Sequence, residues 1–340
     1  MAMSLELREI GFRLAAAGGW DHFAMAAGGS MEASLGWIGG WQMRHFGKAR
    51  LFELAAGGVK IGQCAVLSTR AGHDLRDGVL LAPGAAELWL AAMATVLGKI
   101  GPGAYRLGSK WRLAAPATTA LAALPGVTIA DESAFVVQTV DFSRWPDWAS
   151  YWADVSANVR RNVARGERLA ELKVAVSEGQ GALLRLPAVL RGSLATHNRK
   201  ALDGSGWRLA AHVAGEIIAC RDHLVVAAAR LGGNAVSGKA SIAFGRHSHY
   251  LGGGGSRGSG RGGDSRGDAG AGWLVMRALL QLAQARGPGA QFIMGPFEAA
   301  RHDEALGGGL LRSRRACRVS DVPAAITRFS FAQGRASVGH

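Results

Sequence analysis

Three segments in the second half of the chain carry side chains able to move protons or hold anions. In Phe244–Leu251, His247, His249 and Tyr250 stand at the end of a strand-like run. Alternation places both histidines on one face and Tyr250 on the other. A histidine here could act as general base toward an attacking amine, or be an exposed strand-end residue; Tyr250 could pack with its hydroxyl satisfied. Glu298–Glu304 sets His302 beside Asp303 and Glu304 at the carboxyl end of a strand, where α/β sheets place ligands. Those acids could tune His302, or simply occupy the first turn of a helix. Arg312, Arg314, Arg315 and Arg318 could clamp a phosphate or carboxylate. As alternating charges on an edge strand, they would instead block aggregation.

Between Gly252 and Gly272 about half the residues are glycine, interrupted by Arg257, Arg261, Arg266, Asp264 and Asp268. The apolar helical sequence from Trp273 follows directly. A glycine-rich loop opening onto a helix can turn several backbone N–H groups toward one anion. The centre, 257–267, also has the composition of a surface linker. The end, Gly270-Ala271-Gly272, sits at the expected helix mouth and is the better anion site.

These groups need a scaffold, and the chain has material for two. Its 340 residues suggest two domains, and 49% hydrophobic residues supply their cores. Lys+Arg 39 against Asp+Glu 25 gives +14, which favours anionic partners without choosing among cofactor phosphates, nucleic acid and lipid. No transmembrane segment or signal-peptide pattern is evident, so a soluble cytoplasmic protein is expected. Cys64, Cys220 and Cys317 are too scattered for a metal set or a disulfide framework.

Trp37, Trp41 and His45 recur at helical spacing in 34–46, and a Gly57-Gly58 hairpin follows. A helix is expected over Leu88–Leu97, ended by Gly98, and two strand pieces over Val127–Val140. One helix is expected from Asp147 to about Leu172, with Trp152, Val155, Val159 and Val163 on its apolar face. Arg161, Arg165 and Arg168 form its second stripe, either a solvated face or a phosphate-tracking surface that makes Arg161 a candidate substrate contact. Further expectations are a helix over Glu216–Leu231, strands turning at Gly245-Arg246, and a buried strand Gln291–Met294. The domain boundary falls near Trp145, giving 1–145 and 146–340.

Read in order, these pieces resemble a known group. Met31-Glu32-Ala33-Ser34, Trp37, Trp41 and Phe46, then a strand, a Gly-Gly turn and Ile61-Gly62, resemble the amino-terminal half of FemAB-like and CelD-like members of the GNAT acyltransferase superfamily. Ser156–Asn162 through Arg168-Leu169 is similar to the basic helix opening that group's second half. Gly233–Ala240 through His249–Gly252 looks like its central strand pair. The resemblance covers roughly 30–318 through short motifs in the right order. It implies an α/β fold with two tandem GNAT-like domains, each a mixed β-sheet flanked by helices. It also implies transfer of an acyl or aminoacyl group to an amine of a small molecule, sugar or cell-envelope precursor, with acyl-CoA as donor co-substrate and no metal. Nucleic acid would enter only as aminoacyl-tRNA.

The wider superfamily holds the donor pyrophosphate on a loop of type Gln/Arg-x-x-Gly-x-Gly/Ala. Gly270-Ala271-Gly272 fits its glycine end, but Gly267 stands three residues earlier and the arginine is Arg266. This departs from ordinary acetyl-CoA binding and fits the FemAB-like branch, where the motif is eroded. The resemblance thus makes Arg266, Gly270, Ala271 and Gly272 donor contacts. His247, His249, Tyr250 and His302 become candidate catalytic groups, and Arg161, Glu304, Arg312 and Arg315 candidate substrate contacts. A basic nucleic-acid-binding protein and a non-catalytic scaffold of the same fold are the competing readings.

Overall fold

The computed structural model describes residues 5–111, 118–199, 206–255, 266–297 and 311–332. The chain divides into two compact units, Met1–Val136 with Pro323–His340, and Val137–Val322. The second therefore opens inside a strand, eight residues before Trp145, and the first takes back the end of the chain. Among the described residues no helix is long and apolar enough to cross a membrane.

The first unit runs β1 (Leu5–Ile10), α1 (Phe12–Ala17), α2 (Trp20–Ala26), α3 (Leu35–His45), β2 (Lys48–Ala56), β3 (Val59–Thr69), β4 (Gly72–Leu75), β5 (Leu80–Leu81), α4 (Trp89–Ile100), β6 (Gly103–Leu107) and α5 (Thr118–Ala122). It then enters β7 (Val127–Asp141). Its strand order is β1-β2-β3-β4-β6, completed by the chain's last strand, β13 (Ser320–Phe331), with β5 beside β3. Ser34 caps α3 by accepting from the Trp37 amide, and Trp37, Ile38 and Trp41 are buried at the helical spacing read from sequence. Gly57 and Gly58 both adopt positive φ, as a two-residue hairpin turn requires. Helix α4 runs through Gly98 and stops at Gly101, whose φ of 101° suits only glycine.

The second unit contains α6 (Trp148–Asp154), α7 (Ala157–Glu167), β8 (Leu172–Glu178), α8 (Leu186–Arg199), α9 (Gly206–Ala219), β9 (Leu224–Leu231), β10 (Asn234–Phe244), β11 (His247–Gly255), α10 (Arg266–Gln284) and β12 (Gln291–Phe297). A short helix over 311–316 precedes β13. The strand order is β7-β12-β11-β10-β9-β8. Each unit sets four successive antiparallel strands, β1–β4 or β8–β11, beside a parallel strand, β6 or β12. The chain reaches that parallel strand through a helix, α4 or α10, as a crossover demands. The repetition makes the tandem arrangement visible.

Three expectations fail for identifiable reasons. The single helix from Asp147 is two helices, because the chain extends at Val155 and the Ser156 amide donates to Ala316 O. Glu216–Leu231 divides into the end of α9 and strand β9. Leu224–Ala229 is buried throughout, and a central strand buried on both faces has no alternation to read. Val127–Val140 is one strand, not two.

The glycine-rich stretch is corrected most. Strand β11 takes Gly252–Gly255, and α10 begins at Arg266. Gly270-Ala271-Gly272 therefore lies in the second turn of a helix rather than at its mouth. Ala271, Val275, Leu279 and Ala283 form the apolar stripe of α10 in the core with Val159, Ala227, Phe292 and Met294. A Cβ on Gly270 would stand 2.9 Å from Asn162 O and 3.0 Å from Gly166 Cα of α7. A Cβ on Gly166 would stand 2.6 Å from Leu274 Cδ1. Both glycines permit two helices to touch. Valine at Gly270 should therefore cost about 1–3 kcal/mol by overpacking. Alanine at Gly272, whose Cβ would meet only Ser237 Oγ at 4.0 Å, should leave Tm nearly unchanged. Equal Tm values for the two variants in thermal unfolding would contradict this role.

Candidate functional site

Strands β11 and β12 are in register over only three pairs, His247↔Gln291, Ser248↔Phe292 and His249↔Ile293. Beyond them β11 stays with β10, through a bulge that shifts register between Ala240↔Gly252 and Ser241↔Tyr250. Strand β12 instead carries on through Gly295-Pro296, where Gly295 has φ 98°. Arg314, on the 311–316 helix, holds that end. Its guanidinium donates to Gly295 O at 3.4 Å, Pro296 O at 3.3 Å and Gln138 Oε1 at 3.2 Å. Burial lowers its pKa, and Tyr250 opposes the shift.

A cavity of about 280 Å³ occupies the divergence. Trp273, Met276, Met294 and Cys317 give it apolar walls, Gly253 and Gly272 leave it room, and Lys239, Tyr250, Ser313 and Arg314 provide its polar groups. Lys239 Nζ lies 3.4 Å from Tyr250 Oη and 5.7 Å from the centre of the tyrosine ring. The Cys317 thiol is pushed up to about 12, chiefly by burial and against the pull of Lys239, so it is not a thiolate nucleophile near neutrality.

Alternation holds along β11. The His247 and His249 rings are neighbours at 6.1 Å, whereas Tyr250 alone of the three lines the cavity. His249 is fully buried, and desolvation, then His247, holds its pKa well below the ordinary histidine value. It is a neutral core residue in this arrangement and lies outside the cavity lining. Gly272 lines the cavity, Ala271 lies in the core and Gly270 at the helix crossing. Arg266 contributes backbone to the first turn of α10; its side chain, with all of His302 and Glu304, lies outside the described residues. Arg161 is exposed on α7, opposite the buried Val159, Val163 and Gly166. The cluster 312–318 is mainly helix rather than edge strand, which leaves Arg312 and Arg315 exposed and turns Arg314 inward.

Sequence reasoning thus missed Lys239 and did not single out Arg314 within its arginine cluster as a residue lining this cavity. A lone lysine in an apolar, small-residue strand was the available signal for Lys239. Helical phase within 311–316 would have singled out Arg314. Among the described residues no group of three or more His, Cys, Asp or Glu side chains could hold a metal ion.

The first unit holds a separate buried polar cluster. Glu32 accepts from Arg76 Nη1 at 3.1 Å and from Ser109 Oγ, while Asp77 accepts from Ser30 Oγ at 2.8 Å. Asp74 bridges Arg76 at 2.8 Å and Arg106 at 2.7 Å. The Ser30-Met31-Glu32 turn is thereby tied to strands β4 and β6, which gives the motif at 31–34 a structural reason.

A divergent parallel pair with a helix-backed cavity between its strands is the candidate site of a GNAT-like fold. Comparison with solved structures agrees on that fold. FemX superposes with a TM-score of 0.70 at 10% identity, over 97% of this chain and 98% of FemX. The C-terminal domain of a protein from Agrobacterium fabrum assigned as a lysylphosphatidylglycerol synthetase gives 0.53 at 13% identity, over 93% and 92%. L-PGS from Bacillus licheniformis gives 0.53 at 11%, over 94% and 92%. No protein-family model matches the chain, and no curated protein matches it in sequence. The chain has the FemX-type fold of two tandem GNAT-like domains, as the sequence resemblance implied.

Glu32 generates a pH prediction. Desolvation raises its pKa from 4.5 to about 7, against the opposing pull of Arg76 and Ser109. The folded state therefore binds this proton more tightly than the unfolded state. The stability it contributes is full below pH 4.5 and is lost as pH rises through about 7. Melting curves across this range should show that decline, and Glu32→Gln should flatten it. An undiminished slope in Glu32→Gln would assign the dependence to other groups.

Proposed function

We propose that this protein is an acyl- or aminoacyltransferase whose donor places its acyl end in the cavity between β11 and β12. The observation that carries the reading is the position of Lys239 and Tyr250. Both face a partly apolar chamber at the point where the strand ladder has let go. An acyl chain would lie along Trp273, Met276 and Met294, with its carbonyl toward the Lys239–Tyr250 pair.

The chemistry asks little more of the protein. An acceptor amine attacks the carbonyl carbon, the C–N bond forms, and the carbonyl oxygen gathers negative charge. The Lys239 ammonium and Tyr250 hydroxyl donate toward that oxygen in a site partly shielded from water. As the intermediate collapses, the bond to the leaving sulfur or oxygen breaks. Tyr250 can give its proton to that leaving group and take the one released by the amine. Neither His249, which is buried and neutral, nor Cys317, which stays a thiol, is used.

The donor is an acyl-CoA thioester or an aminoacyl ester of tRNA, both made in the cytoplasm, where the protein is proposed to act. Arg161 and Arg165 on the outward face of α7, with Arg168 exposed at its C-terminal cap, support a polyanionic donor. The proposed acceptor is an amine of a small molecule, a sugar or a cell-envelope precursor. The fold shared with a protein assigned as a lysylphosphatidylglycerol synthetase supports an envelope acceptor.

Titration with acetyl-CoA, longer acyl-CoAs and aminoacyl-tRNA, read by thermal shift and then by transfer to an amine panel, tests this reading. Lys239→Met should lower the transfer rate by about 10²–10³, the usual cost of losing an oxyanion donor. Gly272→Leu should fill the chamber and weaken donor binding at least about tenfold. A donor that binds and reacts unchanged in both variants would sink the proposal.

A further inference from the structure

The C-terminal end of α3 displays apolar side chains where a soluble surface has no use for them. Met43 is 79% exposed and Phe46 97% exposed. The Phe12 ring packs over Gly39, one turn earlier, with Cε1 3.8 Å from where a Gly39 Cβ would stand, and is itself 36% exposed. Positions 39 and 43 follow the i, i+4 spacing of one helix face, opposite the buried Trp37, Ile38 and Trp41, and Phe46 caps the helix just beyond them. Phe12 and Met43 thus share that face, and Phe46 stands at its end. Isolated exposed apolar residues are ordinary, but an apolar face ending in a wholly exposed phenylalanine is not.

The display is held in place by the backbone. Phe46 caps α3 in the left-handed conformation, φ 50° and ψ 30°, which costs energy for a residue with a Cβ. Gly47 then passes so close beneath Trp41 that a Cβ would lie 2.5 Å from the indole ring and 2.9 Å from Ser68 O. Gln42 Oε1 accepts from the Ala49 amide at 3.1 Å and closes the turn. With Gly47 seated under Trp41, Phe46 has only solvent to face.

We propose that this hook enters the interface of an anionic lipid surface, seating Phe46 and Met43 among the upper acyl segments while basic neighbours meet the headgroups. Arg13 and Lys48, both exposed, stand beside these residues in sequence, and no acidic residue lies between Met43 and Arg50. That combination of exposed aromatic and sulfur-containing side chains with basic residues suits an interfacial anchor. A second copy of the chain is the poorer occupant. Two-fold pairing of the same patch would bring its basic residues against their own symmetry mates. The proposal stands independently of the transfer reaction, because it concerns only the first unit's surface.

Vesicle flotation with the full chain tests it, using phosphatidylcholine vesicles with and without phosphatidylglycerol. The wild-type protein should float with the phosphatidylglycerol vesicles and far less with neutral ones. Met43→Ser with Phe46→Ser should weaken binding at least about tenfold, given the apolar area withdrawn. Lys48→Gln should weaken it about fivefold. All three positions are solvent-exposed, so unchanged circular dichroism and Tm should accompany the loss. Failure to bind either vesicle, or full binding by the double serine variant, overturns the proposal. So does a concentration-dependent dimer in sedimentation that the Phe46→Ser change dissolves.

Discussion

Two parallel strands that part company after three residue pairs govern the second unit. While β11 and β12 remain in register, their backbone groups satisfy one another and nothing can enter. Past His249 and Ile293 the ladder ends, and the free space is kept open from both sides. The bulge at Ala240/Ser241 turns β11 with β10, and the Arg314 guanidinium holds Gly295 and Pro296 at the far end of β12. Helix α10 closes the back, and the Gly166–Gly270 contact lets it approach α7 closely enough to do so. The chamber is a consequence of that backbone geometry, and the side chains at Lys239, Tyr250 and Trp273 decide what it can hold.

This changes the meaning of the glycines. In sequence, Gly252–Gly272 invites one explanation, a loop that wraps a phosphate. In the structure its described parts serve separate ends. Gly252–Gly255 belong to a strand, where a Cβ on Gly253 would stand 2.2 Å from Gly238 O. Gly270 permits a helix crossing, and Gly253 and Gly272 border the cavity. Close backbone approach was the right physical theme, but the partner is the protein's own backbone at two of these places.

Much of the fold was legible because it rests on local signals. The Trp37/Trp41 spacing, the Gly57-Gly58 turn and the run Gln291–Met294 each state their structure within a few residues. Where reading failed, the deciding interaction was distant in sequence. The break between α6 and α7 depends on Ala316, and β9 is a strand because it is buried between β8 and β10. The site shows the same division. Tyr250 and Gly272, singled out in sequence, both line the cavity, and alternation correctly separated Tyr250 from the two histidines. The inward turn of Arg314 and the burial of His249 depend on packing that no local pattern records.

The central claim is that the β11–β12 chamber receives the acyl end of a donor. A crystal structure of the protein soaked with a long-chain acyl-CoA, or with a non-hydrolysable aminoacyl-RNA analogue, tests it most directly. The account predicts density for the acyl group between Trp273 and Met294, with its carbonyl oxygen in hydrogen-bond reach of Lys239 or Tyr250. A donor bound with its acyl end elsewhere, leaving this chamber empty, would contradict it.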